Sequence, residues 1–194
     1  MDGPPDAFGS PYRLLSGAVV PRPIAWVSTR AADGTRNLAP YSFSNVVTPD
    51  PPTLLFSSSG TGEDLKDSAR NAVDTGEFVW NVVTEDVVEA MNATSATLPP
   101  DGDEFEHAAV TPAECVAVDA PRVAEAAVSF ECELVDTLEV GVSTLVFGEV
   151  VHAHVDESLL TDGKMDTTKL DAVGRLSGSE YARIGDRFSI ERPP

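Results

Sequence analysis

Hydroxyl side chains gather at a few points of the chain: Ser28 and Thr29, Ser42 and Ser44, Ser57 and Ser58, and Ser68. Close to the last stands Lys66, with Asp67 between them and Asn71 about one helical turn beyond. A hydroxyl offers a donor and acceptors on one short arm, and a helix beginning near Lys66 would present free N–H groups to an anion. Positive charge is scarce: 13 Lys and Arg stand against 32 Asp and Glu, for a formal net charge of -19, and the other lysines are Lys164 and Lys169. The helix dipole favours acids in a first turn, so a lysine there calls for a reason. Strand edges, hydroxyls and one local cation suit the gripping of a polar molecule with an anionic end. The same residues have plain structural uses. Lys66 can pair with Glu63, Asp64 or Asp67 at the surface, the serines from Ser57 to Ser59 can shape a turn, and Trp26, Tyr41, Phe43 and Trp80 taken singly belong in a core.

Other chemistries find little footing. Cys115 and Cys132 form no CxxC pair and read as two reduced thiols, with Cys132 packing on a strand among Val128, Phe130 and Leu134. His152 and His154 alternate onto one strand face and could share a metal with His107, but the sequence suggests no further ligands; exposed strand positions explain them, and no metal is expected. There is no nucleophile elbow, Walker loop or Rossmann glycine pattern. A charge of -19 repels nucleic-acid phosphates. The acids are scattered, which suits a surface adapted to concentrated salt. No stretch approaches the roughly 20 apolar residues of a membrane span, and the opening residues lack the pattern of a signal peptide, so a cytoplasmic location is expected.

The 194 residues, 42% hydrophobic, predict an extension over 1–11 and a single domain over 12–194. Two-residue alternation predicts strands at 24–29, 37–42, 43–47, 53–58, 77–83, 126–140 and 142–155. Asp33-Gly34 marks a hairpin turn, and Pro40 places its return strand at an edge or irregularity. In the first long strand Val128, Phe130, Cys132 and Leu134 face one side, and Ser129, Glu131, Glu133 and Val135 the other; in the second, Leu145, Phe147, Val151, Ala153 and Val155 share a face. Helices are expected at 64–73, ended by Gly76, and at 84–94, with Thr84 as N-cap. Residues 98–104 read as a solvated loop. The apolar spacing of Leu170, Leu176, Tyr181, Ile184 and Phe188 predicts a tail packed on the barrel or on a partner.

The run from Tyr12 to Thr29, with Pro21-Arg22-Pro23-Ile24-Ala25-Trp26-Val27-Ser28-Thr29 at its end, and the segment Asn37-Leu38-Ala39-Pro40-Tyr41-Ser42-Phe43-Ser44-Asn45 resemble the flavin reductase-like family of FMN-binding, flavoredoxin-like split-barrel proteins. The likeness continues through Asp50-Pro51-Pro52, Lys66-Asp67-Ser68 with Asn71, Glu77-Phe78-Val79-Trp80-Asn81, Met91-Asn92-Ala93-Thr94, Glu104-Phe105-Glu106, Glu131-Cys132 and Arg175-Leu176-Ser177-Gly178-Ser179-Glu180-Tyr181. It departs at Ser44, where family members often carry Phe, and at Ser177, where a second Gly is common.

The resemblance implies a mainly β protein with flanking helices (α+β): a six-stranded Greek-key split β-barrel, dimeric, holding FMN near the subunit interface. By position, Trp26, Val27, Ser28, Thr29, Ala39, Pro40, Tyr41, Ser42, Phe43, Ser44 and Asn45 would line the flavin groove, with Ser57 and Ser58 nearby. Lys66, Asp67 and Ser68 would lie near the phosphate, with Asn71 beyond them. Arg22, Arg175 and Tyr181 are candidates for substrate or partner-subunit contacts. The activity implied is an oxidoreductase moving hydride or electrons from NADH, NADPH or another donor to an acceptor through FMN, with no catalytic side chain required. The alternative is an FMN carrier that serves a redox partner protein and has no nicotinamide site of its own.

Overall fold

The computed structural model describes residues 2–99 and 102–193; Pro100 and Asp101, in the middle of the expected 98–104 loop, fall outside them. Strands β1 (Ala25–Arg30), β2 (Arg36–Tyr41), β3 (Ser44–Pro49) and β4 (Pro52–Ser59) are followed by helix α2 (Asp67–Thr75) and β5 (Glu77–Val82). Helix α1 (Pro11–Ala18) precedes them, and α3 (Val88–Ala93), α4 (Glu104–His107) and two short strands, β6 (Pro112–Ala113) and β7 (Arg122–Val123), come after. The long strands β8 (Val128–Val140) and β9 (Ser143–Val155) precede two small hairpins, β10 (Leu160–Thr161) with β11 (Lys164–Met165) and β12 (Val173–Arg175) with β13 (Tyr181–Arg183).

The main sheet is antiparallel with strand order β2-β1-β5-β8-β9-β4-β3, seven strands where the resemblance implies six. The outermost strands β2 and β3 follow each other in the chain through Ser42 and Phe43 without pairing, which leaves the barrel split on one side. Pro40 thus lies on an edge strand, where a missing N–H costs the ladder least. The turn between β1 and β2 is built as its Asp-Gly predicts: Gly34 has φ +93 and Asp33 accepts the Thr35 N–H at 2.9 Å.

One core cluster fills the barrel with Ala25, Val27, Leu54, Phe56, Phe78, Trp80, Cys132 and Val146, closed at one end by Ala69 and Ala72 of α2. Residues from near both ends of the strand order meet there: the Tyr41 and Phe56 rings lie 4.8 Å apart, and Phe56 and Phe78 5.2 Å. A second cluster covers the outer face of β1 and β2 with Ile24, Trp26, Leu38, Met91, Phe105 and Val173. Strand β1 is consequently buried on both faces. Each large side chain so buried is worth about 1.5–3 kcal/mol.

Several differences from the sequence expectations have physical reasons. On β9 the buried face carries Thr144, Val146 and Gly148, whereas Leu145 and Phe147 are only half-buried and Val151 and Ala153 are exposed. Bulk does not select the buried face here: Phe78 fills the interior, and a Cβ at Gly148 would stand 2.5 Å from its ring. Glu131, expected on the solvent side, is completely buried because residues 116–118 fold over it. Helix α1, outside the expected helices, begins with Ser10 accepting the Arg13 N–H at 3.2 Å and Pro11 in the first position. Helix α4 starts at the last residue of the expected 98–104 loop, capped by Asp103. Of the tail, β12 and β13 pack back on Arg22 and α3, while Phe188 and Ile190 are exposed. No helix is long and apolar enough to cross a membrane among the described residues.

Candidate functional site

Four polar side chains from three elements meet at the α2 end of the barrel. The Asn37 amide on β2 donates to Ser68 Oγ at 2.7 Å and to Thr29 Oγ1 at 3.3 Å. The Asn71 amide on α2 donates to the same Thr29 oxygen at 3.0 Å. All four are buried. They hold position because β1 and β2 pair with Thr29 directly opposite Asn37, and because Ser68 and Asn71, three apart, share one face of α2. Tyr41 and Ser58 join the set: burial pushes the Tyr41 phenol above its ordinary range, and the Ser68 and Ser58 hydroxyls pull it back.

Helix α2 starts at Asp67, three residues later than its sequence pattern predicts, after a separate 3-10 turn over Gly62–Asp64. Lys66 is therefore the N-cap and not a first-turn residue, and no side chain caps the helix. Its ammonium is exposed, and among the described residues it has no carboxylate within 4.0 Å, whereas Asp67 pairs with Arg70 at 2.8 Å. An uncapped helix start and an exposed lysine beside buried hydroxyls are donors that could hold an anion.

The edge between β2 and β3 lies alongside. Ala39, Pro40 and Ser42 are half-buried, and Phe43 and Asn45 are exposed. Ser44 is buried, its Oγ 3.1 Å from both the Pro23 and Tyr41 carbonyls. Ser57 donates its N–H to the Phe43 carbonyl at 2.8 Å, tying this corner to β4.

The remaining candidates are not brought to the polar set by their side chains. Trp26 lies in the outer core and donates its indole N–H to Thr94 Oγ1 at 2.9 Å, and Val27 points into the barrel. Ser28 donates to the Pro121 carbonyl at 2.5 Å and accepts from Asn81. The cause is that β1 pairs on both sides, with β2 and β5, and is covered on both faces. Arg22 is buried, its guanidinium donating to the carbonyls of Ser16 at 2.5 Å, Val19 at 2.8 Å and Leu176 at 2.7 Å, which pins the end of α1 to the C-terminal hairpin. Arg175 stacks on Tyr181 at 4.6 Å, and Tyr181 donates to Asn92 at 3.1 Å. Asn37 was missed as a site residue; its signal was a polar side chain on a strand directly opposite Thr29.

A split antiparallel barrel with an uncapped helix start at one end is the frame of the candidate site. The description "Flavin reductase like domain" matches residues 16–169, and the chain belongs to that family. Among solved structures, nitrilotriacetate monooxygenase component B from Bacillus cereus superposes with TM-score 0.93 at 35% identity, covering 98% of each chain. The 2-nitrobenzoate 2-nitroreductase NbaA of Pseudomonas fluorescens gives TM-score 0.87 at 30% identity over 94% of this chain and 90% of its own. The FMN reductase (NADH) RutF of Bradyrhizobium diazoefficiens is 28% identical over 136 residues, 66% of this chain and 67% of its own. The expected family and the α+β split barrel are thus established, and with them a flavoprotein of oxidoreductase type.

Proposed function

We propose that the protein is an FMN-dependent oxidoreductase whose electron donor is a reduced nicotinamide. When bound, FMN supplies hydride acceptance and onward electron transfer. The residues of the chain bind, orient and shield it. Lys66 and the first amides of α2 take the phosphate, with Asp67 and Ser68 beside it and Asn71 bracing Thr29. Tyr41, Ser57 and Ser58 face the polyhydroxyl chain. The corner formed by Ala39, Pro40, Ser42, Phe43, Ser44 and Asn45 borders the ring. The observation that carries this reading is the α2 start, without a side-chain cap and with an unpaired lysine in a chain of net charge -19.

A second copy of the chain completes the ring side of the groove in this proposal. Tyr12, Leu15 and Val19 on or next to α1 are exposed apolar residues at helical spacing, and the Tyr12 ring lies 6.3 Å from the exposed Phe43. Sedimentation that shows a monomer at full flavin occupancy would remove the dimer from the proposal.

The direct test is anaerobic mixing of the purified yellow protein with NADH or NADPH. Bleaching within seconds supports the reductase. A flavin that stays oxidised until a second redox protein is added makes the chain an electron carrier. Lys66→Glu is expected to weaken FMN binding by about 1–3 kcal/mol, the scale of a lost charged contact. Protein that is colourless and takes up no added FMN at any salt concentration overturns the reading entirely.

A further inference from the structure

Outside the candidate flavin site, three groups of metal-binding chemistry converge from three segments: Cys115 in the loop after β6, Glu131 on β8 and His154 on β9. Their ligand atoms all lie within 4.8 Å of one another. The Glu131 carboxylate is fixed in place. One oxygen accepts the Val116 N–H at 2.8 Å and meets His154 Nε2 at 2.5 Å; the other accepts from Ala117 at 2.6 Å and Val118 at 3.2 Å. The set stands between two open cavities. His154 lines one of about 740 Å³, together with Asp86, Glu125, Asp156 and Asp171 against Arg122 and Lys169. Cys115 lines another of about 880 Å³. None of the expected flavin residues borders either cavity.

We propose that Cys115, Glu131 and His154 bind a divalent ion of zinc-like character, with water in the fourth position. The donor set decides the class. A thiolate, an imidazole and a carboxylate together suit a borderline-soft tetrahedral ion, and an all-oxygen site for magnesium or calcium would not use sulfur. Tetrahedral ligands at roughly 2.0–2.3 Å from an ion stand apart by more than the present 2.5 Å contact between His154 and Glu131. The imidazole therefore moves outward toward the open cavity when the ion enters. Binding replaces the Cys115 thiol proton, so S–H is exchanged for S–M and one proton is released. A divalent ion between the Cys115 sulfur and the Glu131 carboxylate would be held by both, their ligand atoms lying within 4.8 Å of each other. Bound there, the ion ties the 115–118 loop to the middle of the longest hairpin of the barrel.

The test uses the full chain, stripped with chelator and titrated with Co²⁺ and then Zn²⁺. The expected result is a near-ultraviolet sulfur-to-cobalt charge-transfer band that saturates at one ion per chain, with release of about one proton from the thiol, and is displaced by zinc. Cys115→Ser abolishes the band, and His154→Gln weakens cobalt binding at least tenfold with far-ultraviolet circular dichroism unchanged. Both variants retain FMN binding, since neither residue touches the α2 end. A titration without a saturable band, or a band that survives Cys115→Ser, overturns the proposal.

Discussion

Removal of the Asn37 amide tests whether the buried polar set positions α2. Asn37→Ala deletes two donors, the 2.7 Å contact to Ser68 and the longer 3.3 Å contact to Thr29. A buried neutral hydrogen bond is worth about 0.5–1.5 kcal/mol net, and a buried partner left unsatisfied costs about 1–3 kcal/mol. Thr29 keeps its second donor, Asn71, whereas the buried Ser68 hydroxyl loses the Asn37 donor. The expected loss is about 2–3 kcal/mol, most of it at Ser68. At about 2–4 °C per kcal/mol for a domain of this size, the midpoint falls by roughly 5–10 °C. Ser68→Ala alone is expected to cost about 1–2 kcal/mol, and the double variant about 1 kcal/mol less than the sum. The assay is urea unfolding in molar KCl followed by circular dichroism, with FMN titration of each folded variant. Because Ser68 stands in the first turn of α2, FMN affinity in Asn37→Ala falls about tenfold, roughly 1.4 kcal/mol. Additivity within about 0.3–0.5 kcal/mol would refute the coupling and return Asn37 to an incidental neighbour.

Three further outcomes follow from the same geometry. Gly148→Ala places a Cβ 2.5 Å from the Phe78 ring and 2.9 Å from Cys132 Cβ, so it should destabilise by about 1–3 kcal/mol in urea unfolding, with no direct effect on FMN affinity. Burial raises the Glu104 carboxyl above the usual range although it accepts the Leu38 N–H at 3.3 Å, so its charge opposes folding at neutral pH. Glu104→Gln should stabilise above that raised value and lose its gain as pH falls through it to the ordinary carboxylate range, a trend that unfolding curves across pH would show or contradict. Salt screens both the long-range repulsion between FMN and a chain of charge -19 and the attraction to Lys66. In Lys66→Gln only the repulsion remains, so FMN affinity should rise with KCl more steeply than in the unchanged chain; equal slopes would remove Lys66 from the phosphate site.

The strands were legible because both faces of the barrel wall obey simple period-two chemistry where packing is ordinary. Asp33-Gly34 located the first hairpin and Pro40 an edge, and Gly141, with φ +60, turns the long hairpin between β8 and β9. Legibility failed where one element covers another. Alternation on β9 selects the bulky face, but the barrel interior is already occupied by Phe56 and Phe78, and the wall opposite them must be small at Gly148. Glu131 reads as a solvent residue because nothing local reveals that the 116–118 loop will return to cap its carboxylate with three N–H groups. At the candidate site, Lys66, Ser68 and Asn71 were visible as a helical series, while Asn37 was visible only through its partner across the strand pair. On β1 the side chains of Trp26 and Ser28 are turned to Thr94 and Pro121, whereas Thr29 at the end of the strand meets Asn37 and Asn71.

The scarce cations are placed in a way that bears on both proposals. With 32 carboxylates available, pairing with acids would be the simple use of an arginine, yet among the described residues only Arg36, Arg70 and Arg183 meet one within 4.0 Å. Arg22, Arg30 and Arg187 donate instead to main-chain carbonyls on segments distant in sequence. An exposed ion pair is worth about 0–1 kcal/mol and weakens with salt, whereas a guanidinium fork holding carbonyls relies on geometry and carries only one charge to be screened. Arginine thus serves this chain as a staple for loops. Among the described residues Lys66 has neither use: it holds no carbonyl and no carboxylate, and it stands at a helix start that no side chain caps. In the proposed function that charge is the one left for the phosphate of the flavin.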